Sequence, residues 1–139
     1  MTLRTFEFDR DYQAVRELWL DSGPGIQLSR SDEPEEVRKK LSRDPDLFIV
    51  AEDEGRLIGS VIGGFDGRRG LVYHLAVAGG ERRQGVGRAL MDEIERRLRA
   101  KGCLKYYLLV TQDNEGALAF YESMGCERMD LFVLGKVIG

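Results

Sequence analysis

The chain has 139 residues, 42% hydrophobic and 32% charged, with a formal net charge of −3. That balance suits one globular domain over 1–139 and offers no general basic surface, so nucleic acid is not an expected partner. No apolar run reaches membrane-span length, Met1 is followed by polar and charged residues, and Cys103 and Cys126 lack metal-ligand spacing. The expectation is a cytoplasmic protein with reduced thiols, no metal and no membrane association.

In chain order, alternation predicts a first strand over Thr2–Phe8. Asp9 or Asp11 can cap a helix with Tyr12, Val15, Leu18 and Trp19 on one face, ended by Gly23, Pro24 and Gly25. After a polar loop, Asp32 precedes Pro34 at a first-turn position, and Val37 and Leu41 share one side of a charged helix that stops before Pro45. Leu47–Asp53, Leu57–Phe65 and Leu71–Ala78 read as three strands joined by tight turns, an antiparallel meander. Val86, Leu90, Met91, Ile94 and Leu98 then repeat at helical spacing up to Gly102, with Asp92–Arg96, Glu93–Arg97 and Glu95–Arg99 as outward i,i+4 pairs. Leu104–Thr111 is the next strand, reached by a right-handed parallel crossover. A helix capped by Asn114 and closed by Gly125 follows, and an apolar strand over Leu131–Leu134 is expected to complete the sheet.

The stretch between the third strand and its helix carries the chemistry. Arg82, Arg83 and Gln84 lead into Gly85, Val86, Gly87 and Arg88, so a basic turn opens a helix whose first N–H groups have no intrahelical partner. Main-chain donors, the positive end of the helix dipole and nearby arginines make a site for a diphosphate or similar anion. A Walker A loop is not matched, and the dinucleotide fingerprint fails because Leu90 stands at its third glycine. The pattern R/Q-x-x-G-x-G/A is met by Arg82, Gly85 and Gly87.

Here the chain resembles the GNAT superfamily of acyl-CoA-dependent N-acetyltransferases, closest in look to its small single-domain bacterial members. A second signature, Asn114, Ala117 and Tyr121 within NEGALAFYESMGC, follows at the family's spacing, so the resemblance covers nearly the whole chain. It implies an α/β fold with a mixed, mostly antiparallel sheet flanked by about four helices. It also implies acetyl-CoA as co-substrate and an amine acceptor, either a small molecule or a protein amino group; dimers are common in such proteins.

Residue by residue, the resemblance implies that the main chain of Leu75, Ala76 and Val77 holds the pantetheine arm and thioester, and that residues 82–88 hold the pyrophosphate. Asn114 and Ala117 would contact the cofactor's amide arm, Tyr121 would protonate the departing thiolate, and the segment Gly23–Ser31 would shape the acceptor side. Some members carry a glutamate base early on the third strand, where this chain has Leu71. The base is then Tyr73, His74, an ordered water or none; as the sole histidine, His74 is also readable as a packed strand residue. A different class remains open, a CoA-binding sensor without turnover, as does an enzyme using another acyl-CoA.

Overall fold

The computed structural model describes residues 1–81 and 85–139, with Pro24 described in its backbone alone. The elements are β1 (Thr2–Thr5), α1 (Phe8–Leu20), α2 (Pro34–Arg43), β2 (Phe48–Asp53), β3 (Arg56–Phe65), β4 (Gly70–Val77), α3 (Val86–Ala100), β5 (Tyr106–Leu108) and α4 (Glu115–Ser123). Short 3-10 turns occupy Gly23–Gly25, Arg30–Asp32 and Gly79–Glu81. The strands lie in sequence order in one sheet, antiparallel from β1 to β4, with β5 parallel to β4 across the α3 crossover.

β2 explains why its sequence is an unbroken apolar run. Leu47, Ile49 and Ala51 face α3, while Phe48 and Val50 face α1 and α2, so both sides of the strand are buried. On the first side, Val86, Leu90, Met91, Ile94 and Leu98 of α3 close the core. On the second, Val15, Leu18 and Trp19 of α1 and Val37 of α2 do so. α3 approaches closely because β3 has glycine beneath it. A Cβ on Gly59 would lie 2.8 Å from Leu90 Cδ1, and one on Gly63 would lie 2.9 Å from Ile94 Cδ1.

Four sequence expectations change. α1 begins at Phe8, with Glu7 at its N-cap; the Glu7 N–H donates to Asp11 Oδ2, and Asp11 also takes two hydrogen bonds from Arg4, which holds its carboxyl below the usual range despite burial. On α3, Glu93 gathers both Arg96 and Arg97 and its carboxyl falls to about 2, mainly through Arg96; the Asp92–Arg96 and Glu95–Arg99 pairs are not formed.

β5 is only three residues long, because its ladder with β4 ends at Val72–Leu108 where β4 kinks away. Leu131–Leu134 is not a strand: Phe132 is 97% and Leu134 92% exposed. A strand needs a neighbouring edge and one packed face, and within its own chain this segment has neither.

Candidate active site

The kink in β4 creates the site. The β3–β4 register passes from Ser60↔Ala76 to Ile62↔Tyr73, so His74 and Leu75 together stand opposite Val61. This is a β-bulge, and His74 takes a left-handed φ of +51° within it. The bulge bends β4 away from β5, and the two strands part. Between them opens a cavity of about 760 Å³, floored by Val72–Val77 on one side and Leu108–Thr111 on the other. That size suits an extended organic ligand.

The α3 N-terminus stands at this cavity. Gly85 is its N-cap at φ +81°, and no side chain among the described residues caps it. Glycine serves here because the left-handed conformation strains any residue with a Cβ. Gly85, Gly87 and Arg88 line the cavity, while the Val86 side chain is buried against the sheet, leaving only its main chain for a ligand. Gly87 packs between Val77 and Phe120, where a Cβ would approach Phe120 Cζ to 3.4 Å. Arg82, Arg83 and Gln84 lie outside the described residues.

α4 supplies the opposite wall. Asn114 caps it, with Oδ1 accepting the Ala117 N–H at 3.1 Å, so the Nδ2 amide is the part of this side chain left for a ligand. Ala117, Phe120 and Tyr121 line the same cavity. Burial, assisted by the nearby Cys126, pushes the Tyr121 phenol up to about 12, and its hydroxyl has no hydrogen-bond partner among the described residues. Such a phenol keeps its proton at neutral pH, so it enters the cavity as a hydrogen-bond and proton donor. Leu75, Ala76 and Val77 line the cavity too, Ala76 with its side chain buried in the core.

A second, smaller recess of about 130 Å³ lies on the α1–α2 side, lined by Gln27, Ser29, Ser31, Asp32 and Lys40 and by the apolar Val37, Phe48 and Ile62. Tyr73 and His74 are the residues that line both spaces. His74 Nε2 sits 2.9 Å from Oδ1 of Asp32, whose side chain is buried. Trp19 and Tyr73 pack edge-on against the imidazole at 5.1 and 5.4 Å. Burial first, then the charges of Asp32 and Asp44, push the Tyr73 phenol up to about 12.

Residues 12–126 match the family model described as Acetyltransferase (GNAT) family. The chain belongs to the GNAT acetyltransferase family. An acetyltransferase of Pectobacterium atrosepticum is 41% identical over 138 residues, covering 98% of this chain and 94% of that protein. One of Sodalis glossinidius is 40% identical with the same coverage. Among solved structures, Chaetomium thermophilum Naa20 in complex with a bisubstrate analogue superposes with a TM-score of 0.75 at 28% identity, covering 89% of this chain and 70% of that one. The fold is shared with the ribosomal-protein-S18-alanine N-acetyltransferase of Escherichia coli, with a TM-score of 0.70 at 21% identity and coverage of 89% and 76%. Among the described residues the fold is a five-stranded mixed sheet with four helices, the GNAT fold.

Within this GNAT chain, Tyr121, Asn114, Ala117, Leu75–Val77 and the described part of the glycine turn meet around one cavity, and Tyr73 and His74 line both it and the recess. The sequence reading missed Asp32 as a site residue and took it for part of a helix entry. Its partner lies 42 positions away, and no local pattern marks a pairing of that range.

Proposed function

We propose that this protein transfers the acetyl group of acetyl-CoA to a primary amine by direct attack on the thioester. The carrying observation is that two separate spaces share Tyr73 and His74 in their linings: a long cavity bounded by a helix start without a side-chain cap among the described residues, and a smaller recess on the α1–α2 side. In this reading the α3 N-terminus binds the diphosphate, and main-chain groups of the kinked β4 hold the pantetheine arm and thioester, while Asn114 and Ala117 meet the amide arm. The amine enters from the recess. Its nitrogen attacks the thioester carbonyl carbon, a β4 N–H stabilises the oxyanion, and collapse breaks the C–S bond. Tyr121 gives its phenolic proton to the thiolate; the amine's surplus proton passes to His74 and then to solvent, and solvent returns a proton to the Tyr121 phenolate.

His74 is the better base of the two β4 candidates, because burial and two carboxylates keep the Tyr73 phenol protonated. An imidazole has an intrinsic pKa suited to the task. The same reading places the protein in the cytoplasm, where acetyl-CoA is available. Thiol release from acetyl-CoA over a panel of small amines and peptide N-termini tests it. Acetyl-CoA binding without turnover on any amine supports a CoA-binding sensor instead, and faster turnover with propionyl- or longer acyl-CoA supports a different acyl donor.

A homodimer belongs to the same proposal. Leu131–Leu134, Val137 and Ile138 project into solvent, and β5 is the last strand of the sheet among the described residues, with a groove of about 380 Å³ beside it. Reciprocal seating of each copy's tail on the other's β5 edge is a closed two-fold contact that hides both. Light scattering of the full chain should give twice the monomer mass, and Phe132→Asp with Leu134→Asp should halve it.

A further inference from the structure

We infer that Asp32 is a positioning residue that chooses which nitrogen of His74 is basic: it keeps the ring hydrogen on Nε2 and leaves Nδ1 to take the amine's proton. This inference rests on the reading of His74 as the base.

Asp32 is held from several sides before it meets the imidazole. Its Oδ2 accepts the Ser29 N–H at 2.9 Å, and its main-chain oxygen accepts the Tyr12 hydroxyl at 2.8 Å. It is 5% exposed, in the 3-10 turn that leads into α2, and its other oxygen, Oδ1, lies 2.9 Å from His74 Nε2. An ionised carboxylate only accepts hydrogen bonds, so a neutral ring at this distance must present N–H from Nε2. Its one remaining lone pair is then on Nδ1. Trp19 and Tyr73 pack edge-on against the ring, and the bulge fixes the backbone that carries it. When Nδ1 takes a proton, the imidazolium lies against a charge already in place. The turn that lines the recess and the base are thereby one rigid unit.

Because His74 is the only histidine in the chain, a nitrogen-15 spectrum of the imidazole reads one ring and needs no assignment. The wild-type chain should show the hydrogen on Nε2 in the neutral ring. In Asp32→Asn the amide oxygen must still serve the Ser29 N–H, which turns the amide NH2 toward His74 and forces the hydrogen to Nδ1. The turnover number should fall at least about tenfold, toward the roughly 10⁴-fold lost when the aspartate of a Ser-His-Asp triad is changed to asparagine. KM for acetyl-CoA should stay as it was, and Asp32→Glu should recover part of the rate and the wild-type tautomer.

A wild-type ring with its hydrogen on Nδ1 overturns the assignment and needs no variant to fold. An inverted ring in Asp32→Asn with undiminished turnover overturns the role in catalysis. A chain that acetylates no amine overturns it through the reading on which it rests, and the ring spectrum tells that failure from the others.

Discussion

Asn114 Nδ2 occupies the space that a side chain on Gly25 would need, 2.7 Å from where its Cβ would stand. The turn after α1 and the cap of α4 are therefore built against each other, and Asn114 cannot simply swing aside because Oδ1 holds the Ala117 N–H. Gly25→Ala should displace this side chain and weaken the cap, costing about 0.5–2 kcal/mol of stability. The same variant should raise KM for acetyl-CoA more than it lowers turnover. Thermal melts and initial-rate kinetics check the two parts.

Tyr121→Phe removes a proton donor while keeping the ring that fills the cavity wall. Turnover should fall by about 10²–10⁴-fold, the typical worth of a positioned acid, with KM for acetyl-CoA little changed. A variant that matched the wild type on a true acceptor would remove the acid role.

Alkaline pH should destabilise the fold. The phenols of Tyr73 and Tyr121 rise from 10.0 to about 12 on folding, chiefly through burial. Between those values the folded state holds protons that the unfolded chain has lost, so unfolding free energy decreases as pH rises through this window and is unaffected by these groups below it. Urea titrations at pH 8 and 11 should show the loss, and Tyr73→Phe should reduce its slope.

Gly63→Ala should place a Cβ 2.9 Å from Ile94 Cδ1 and 3.0 Å from Cγ1, overpacking the contact between β3 and α3. The cost should be about 1–3 kcal/mol. Ile94→Val deletes Cδ1 and should cost about 0.5–1.5 kcal/mol alone, but the double variant should be more stable than the sum of the two, since they share one space. Urea midpoints of the four chains measure the coupling.

Gly85→Ala tests the helix start. Among the described residues a Cβ there meets nothing within 4 Å, so the penalty they impose in the free protein is the left-handed φ of +81°, about 1–2 kcal/mol. The added methyl should also crowd an anion approaching the α3 N–H groups. KM for acetyl-CoA should rise, with turnover at saturation nearly kept.

Much of this molecule was legible in the linear order of its residues, because the information there is local. The 3.6-residue repeat of α3, the Asn114 cap with Tyr121 on its helix, the glycine turn and the meander all follow from neighbours a few positions apart, and the family and its fold followed from two such signatures in sequence.

What only the folded chain decided depends on distance. Leu104–Thr111 has the composition of a longer strand, but β4 bends away at His74 and pairing stops at Leu108. Leu131–Leu134 has strand composition as well, yet in its own chain it lies against neither edge of the sheet and stays exposed. Asp32 and His74 lie on different elements and meet only after α1, α2 and the sheet have packed. Hydrogen-bond caps and periodicity are written residue by residue, whereas strand ends, bulges and long-range ion pairs are settled by which surfaces come to share a space.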